Sequence, residues 1–99
     1  MYPINLRSPN YPYYYPANSD CSNRIESASD GVTFVLMAFY TENNYDYVVF
    51  TDTSLNQYTF TGFKNSDRFS FSGSYVDVRF YSDSSIGKSG FSILVIDGY

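Results

Sequence analysis

The feature that most constrains this chain is the combination of an aromatic-rich, tryptophan-free composition with apolar residues that recur at every second position. Twelve Tyr and nine Phe stand among 99 residues, and such side chains suit a pleated, half-buried surface far better than a helix. The clearest run is Val76, Val78 and Phe80, which alternate with Asp77, Arg79 and Tyr81. A period of two sends one set to a core and the other to solvent. Arg68 to Phe71 repeats the device, with Phe69 and Phe71 on one face and Ser70 on the other, and Phe91, Ile93 and Val95 oppose Leu94 and Ile96. Val32 to Phe39 is apolar at nearly every position, which predicts a central strand buried on both faces. Tyr47 to Asp52 and Gln57 to Phe60 complete the pattern.

Between these runs Gly, Asn, Asp and Ser cluster at Ser29-Asp30-Gly31, Glu42-Asn43-Asn44, Lys64 to Asp67, Ser72-Gly73-Ser74 and Ser82 to Ser89, the chemistry that turns require. Nothing reads as a helix longer than a turn. About eight short, closely spaced strands without a repeat or heptad predict one all-β domain, residues 1–99, built as a two-sheet antiparallel β-sandwich of jelly-roll type. Pro9, Pro12 and Pro16 each remove a ladder donor and confine the N-terminal arm to an edge or extended path. Tyr13, Tyr14 and Tyr15 are expected to lie across the sheet end.

Inventory excludes several functions. With no His there is no Ser-His-Asp triad and no imidazole base, and the single Cys21 cannot form a thiolate cage. The expectation is therefore a non-enzymatic protein. A net charge of −4 with only six basic residues offers no stripe for a phosphate backbone, so nucleic acid is not an expected partner. No apolar run approaches the roughly 20 residues that cross a bilayer, so no membrane insertion is expected.

The remaining chemistry lies in three acids at predicted strand ends. Glu42 closes the Val32 to Phe39 strand, Asp46 opens the next, and Asp83 follows the Val76 to Tyr81 strand. On a sandwich such ends meet at one pole, and two or three carboxylates supply most of the charge of a calcium site. Each acid taken singly also suits a turn: Asp46 as a cap, Asp83 as an Asx-turn over Ser85. Exposed tyrosines form a second signal, because Tyr13, Tyr14, Tyr40, Tyr45 and Tyr81 include more than one core can hide and Tyr commonly anchors recognition.

Read in order, Ser8-Pro9-Asn10-Tyr11-Pro12, Glu42, Tyr45-Asp46-Tyr47, Phe80-Tyr81-Ser82-Asp83 and Gly90-Phe91 resemble the CUB domain family over nearly the whole chain. The resemblance implies an extracellular, secreted-type binding module, one domain taken from a larger extracellular protein. It also implies Ca²⁺ held by Glu42, Asp46, Asp83, Ser85 and the carbonyl of Ile86, with Tyr15 buttressing the acids. Three residues separate Glu42 from Asp46, a shorter loop than many calcium-binding members have. Most relatives carry two disulfides; the partner implied for Cys21 would lie upstream, whereas Asn44 and Thr61 stand where the second bridge belongs, leaving packing alone to hold that edge. Ligands implied are a protein partner presenting Lys or Arg to the acidic pole, or a glycan on the tyrosines. A spacer domain with no ligand is the alternative.

Overall fold

The computed structural model describes residues 3–85 and 87–98. Nine strands run β1 (Ile4–Arg7), β2 (Asp20–Glu26), β3 (Gly31–Tyr40), β4 (Tyr47–Thr51), β5 (Gln57–Phe60), β6 (Phe63–Lys64), β7 (Arg68–Ser72), β8 (Tyr75–Tyr81) and β9 (Gly90–Asp97). They form a two-sheet β-sandwich, with no helix among the described residues. One sheet has the order β1-β9-β3, with β6 and β7 both on the far edge of β3, and the other has the order β2-β8-β4-β5. Every pairing is antiparallel.

The aromatic alternation builds the core as expected. Val76, Val78 and Phe80 of β8 and Val48 and Phe50 of β4 face Phe34, Leu36, Ile93, Val95 and Phe91 of the other sheet, all buried. Phe50 is the hub: its ring centroid lies 4.9 Å from that of Phe34 and 5.0 Å from that of Phe69, both edge-to-face. Phe60 and Phe69 stack at 4.8 Å across the flank where the edge strands β5 and β7 approach one another. Edge-to-face and offset pairs use the ring quadrupole as well as area burial, so a Phe-rich core holds itself without Trp.

Two local expectations are corrected. β3 is not buried on both faces throughout, because Met37 is 57% exposed. The pairing of β3 with β9 shifts register between Leu36 and Ala38, and such a bulge re-aims the side chain it interrupts. On the other edge of β3, β7 pairs with residues 31–35 and β6 only with Phe39 and Tyr40; in the gap the Leu36 N–H donates to the Asp67 carbonyl at 2.8 Å. Of the three consecutive tyrosines, only Tyr15 enters the structure: it is 2% exposed, against 77% for Tyr13 and 60% for Tyr14.

β2 and β6 are polar or short strands without a legible period of two, and β1, Ile-Asn-Leu-Arg, alternates over only four residues. β2 runs Asp-Cys-Ser-Asn-Arg-Ile-Glu and buries only Ile25. It is a strand because β8 offers it a full antiparallel ladder, from Asp20 opposite Tyr81 to Glu26 opposite Tyr75. Its outer face is clamped by two bidentate pairs, Arg24 with Asp77 and Arg79 with Asp20. Those carboxyls sit below their ordinary range through the arginine hydrogen bonds.

Candidate functional site

Strands that alternate between sheets place the loops after β3 and β8 and the start of β4 at the same pole. The arm between β1 and β2 crosses it. Ser8 anchors the arm: its N–H donates to the Phe91 carbonyl at 3.1 Å and its hydroxyl accepts from the Phe91 N–H at 3.0 Å. Gly90, at φ +85°, permits this approach, since a Cβ there would lie 1.9 Å from the Ser8 Oγ. Further along, the Tyr15 N–H donates to the Lys88 carbonyl and the Asn18 N–H to the Asp83 carbonyl. Tyr15 is thereby driven under the pole, edge-on to Phe80 at 4.9 Å.

Glu42, Asp46 and Asp83 converge. Each offers a carboxylate oxygen, and these oxygens all lie within 4.8 Å of one another. The short Glu42–Asp46 loop does not part them, because it is a single tight turn: the Tyr45 and Asp46 N–H groups both donate to the Glu42 carbonyl, at 3.1 and 3.0 Å.

Asp46 is fully buried and is held from both sides. Tyr15 donates its hydroxyl to Oδ2, and the Asp83 N–H donates to Oδ1 at 2.9 Å. The Tyr15 hydroxyl also accepts from the Glu42 N–H at 3.1 Å, so one phenol ties two of the three acids. Burial, and then the bond to Asp46, push the Tyr15 phenol well above its ordinary pKa, which keeps it a donor. Asp83 accepts the Ser85 N–H on Oδ1 at 2.9 Å, the expected Asx-turn. Ser85 itself is exposed, and Ile86 lies outside the described residues.

Glu42 is the member whose needs are not met. Its Oε1 is buried and has no hydrogen-bond partner among the described residues. Desolvation first, and then the charges of Asp83 and Asp46, hold its carboxyl above the ordinary value, with Lys88 pulling the other way. Like charges gathered with an orphaned acceptor are a costly arrangement, and a hard cation with oxygen ligands removes both costs at once. The residues present therefore fit Ca²⁺.

The edge expected to rest on packing alone has another support. The Asn44 N–H donates to the Thr61 Oγ1 at 3.0 Å, and that hydroxyl donates to the Asp46 carbonyl at 2.7 Å. Thr41 adds a second hydroxyl to the same carbonyl at 3.2 Å. Polar bonds, from exposed at Asn44 to buried at Thr41, stand in the place of a covalent bridge here, a role that no period or motif announces.

Among the tyrosines, Tyr45 lies in the Glu42–Asp46 turn at 61% exposure and Tyr40, at 44%, ends β3 beside it. Tyr81 is half-buried instead, its ring 5.4 Å from that of Tyr47 with the Arg79 guanidinium 4.9 Å from its centroid. Cys21 is a half-buried free thiol in a groove of about 220 Å³ that Leu6, Pro9, Val78, Phe80 and Phe91 also line.

An antiparallel sandwich with an acidic pole underlain by a buried tyrosine is the arrangement to set against known proteins. A sequence profile of the CUB domain matches residues 2–94, and the chain belongs to the CUB family of extracellular protein-interaction modules. It is similar to part of the full extracellular region of zebrafish Gpr126/Adgrg6, at 27% identity and TM-score 0.88, covering 97% of this chain and 14% of that one. It is also similar to the MASP-1 CUB2 domain bound to Ca²⁺, at 26% identity and TM-score 0.86, covering 97% of this chain and 93% of that one. The CUB1-EGF-CUB2 region of rat MASP-1 matches at 25% identity and TM-score 0.87, with 97% and 40% covered. Family members are in general non-enzymatic binding modules. Among the described residues no helix is long and apolar enough to cross a membrane.

Proposed function

We propose that the protein is a calcium-ordered binding module of a larger extracellular protein. Glu42, Asp46 and Asp83 hold Ca²⁺ through their carboxylates, Ser85 supplies a further oxygen, and Tyr15 keeps Asp46 in place. The observation that carries this reading is the convergence of the acids, with ligand oxygens within 4.8 Å and the Glu42 Oε1 buried and unpartnered among the described residues. The calcium-bound MASP-1 CUB2 domain supports it. The ion cancels the mutual repulsion and sets the loops before a partner arrives, so the ordering cost is met in advance. A partner protein then presents a Lys or Arg to the charge that remains.

Calorimetric titration of Ca²⁺ into the wild type and into Asp83→Ala tests the reading. Binding in the first and its loss in the second are expected, together with a melting temperature that rises with millimolar Ca²⁺ and falls back with EDTA, since a ligand held only by the native state must stabilise it. A melting temperature unmoved by either reagent would make the domain a spacer. Glycan-array binding that persists in EDTA would move the function to Tyr13, Tyr14 and Tyr45.

A further inference from the structure

Next to the acidic pole, on the outer side of the β3–β6 ladder, lies a cleft of about 570 Å³. Tyr40 and Phe63 form one wall. They are opposite residues in the ladder, their rings 6.0 Å apart and nearly perpendicular, and Phe63 is 69% exposed. A solvent-facing phenylalanine paired with a tyrosine gains little from packing, and rigid aromatic surface of this kind anchors protein contacts. Lys64 and Lys88 also line the cleft, with Glu42 at its border. The Lys88 ammonium lies 5.5 Å from the centre of the Tyr40 ring.

The charge balance here runs against that of the chain. The protein carries −4 overall with six basic residues, of which Arg24 and Arg79 are spent in ion pairs on the other sheet. Neither Lys64 nor Lys88 joins an ion pair among the described residues, and both are half-buried. The Lys88 ammonium beside the Tyr40 ring, with Lys64 lining the same cleft, is complementary to a carboxylate next to an apolar side chain. A long polyanion fits less well, because two lysines are few and the acidic pole lies beside them.

We propose that this cleft takes an acidic segment of a partner protein, one carboxylate on Lys64 and Lys88 and an adjoining aromatic or aliphatic side chain over Tyr40 and Phe63. The inference rests on the calcium reading in one respect: a cation on Glu42 withdraws the one negative charge at the border and releases Lys88 to the ligand. The two sites would then engage one partner through opposite charges, which fixes its orientation.

The test is an NMR titration of the whole chain with an acetylated, amidated hexapeptide, Gly-Glu-Asp-Phe-Glu-Gly, in Ca²⁺ and in EDTA. Shifts at Tyr40, Phe63, Lys64 and Lys88, tighter binding in Ca²⁺, and weakening by about tenfold or more in Lys64→Gln/Lys88→Gln are expected from the loss of charge-assisted contacts. The control Arg7→Gln/Arg68→Gln makes the same change in net charge. Equal weakening in the control, equal binding of the Gln/Asn version of the peptide, or binding of a heparin tetrasaccharide but not of the peptide would overturn the proposal. Calcium calorimetry on the wild type separates the two readings: peptide binding at these residues without any calcium binding sinks the metal site and leaves the cleft supported.

Discussion

Replacing Tyr15 by Phe removes one oxygen and nothing else, yet that oxygen makes one buried and one part-buried bond. It donates to the Asp46 carboxylate and accepts the Glu42 N–H at 3.1 Å, on a side chain that is 2% exposed. Losing a bond to a charged acceptor costs about 1.5–3 kcal/mol, and orphaning a buried donor costs about 1–3 kcal/mol. Some water entry offsets part of this, so a loss of about 3 kcal/mol is expected. Against a total of about 5–15 kcal/mol for a domain of this size, the change is large. It would lower the melting temperature by roughly 12–24 °C and the urea midpoint by about 1–3 M at constant slope. Far-UV circular dichroism is the appropriate probe, because the chain has no Trp, and EDTA keeps the measurement free of metal. Tyr13→Phe, at a residue 77% exposed, is the control and should stay within about 0.5 kcal/mol of wild type. A loss below about 0.5 kcal/mol in Tyr15→Phe would refute the buried link between the arm and the acids.

Three further outcomes follow from the same geometry. A Cβ on Gly87 would lie 2.5 Å from the Tyr15 ring and from its carbonyl oxygen, so Gly87→Ala should destabilise by about 1–3 kcal/mol and weaken calcium binding together with stability, as read by parallel melts and calorimetry. Phe50→Ala, at the fully buried hub, should cost about 3–5 kcal/mol, and Phe50→Leu, which keeps much of the apolar bulk but loses the ring pairs, a smaller part of that; equal losses in urea titrations would refute the hub. The pH dependence separates the acids. Glu42 has a raised folded pKa, so its contribution to stability is complete below the ordinary 4.5 and is lost as pH rises through the raised value. Asp20 and Asp77 have depressed values, so theirs is present above 3.8 and is lost as pH falls further. Because protons compete with the metal at Glu42, whose carboxyl holds its proton above the ordinary value, calorimetric calcium affinity should fall more steeply on acidification in the wild type than in Glu42→Gln; the same pH dependence in both would remove Glu42 from the ligand set.

What the sequence determined by itself was whatever depends on the period of the strands and on local turn chemistry. Val76, Val78 and Phe80 could face only one way once β8 was a strand, and Asp83 before Ser85 could form its Asx-turn without help from elsewhere. The pole was legible for the same reason, since Glu42, Asp46 and Asp83 each flank a strand that the alternation reveals. Tertiary structure decided what depends on partners distant in the chain. β2 exists because β8 pairs with it, Met37 turns outward because β3 and β9 slip register, and Thr61 supports the Asp46 carbonyl at the edge expected to rest on packing alone. Most of all, only the fold could bury the Tyr15 hydroxyl between Asp46 and Glu42 and leave one Glu42 oxygen without a partner among the described residues. A residue's neighbours along the chain dictate its turn or strand, but the dielectric and the charges around it come from segments that reach it only when the sheets close.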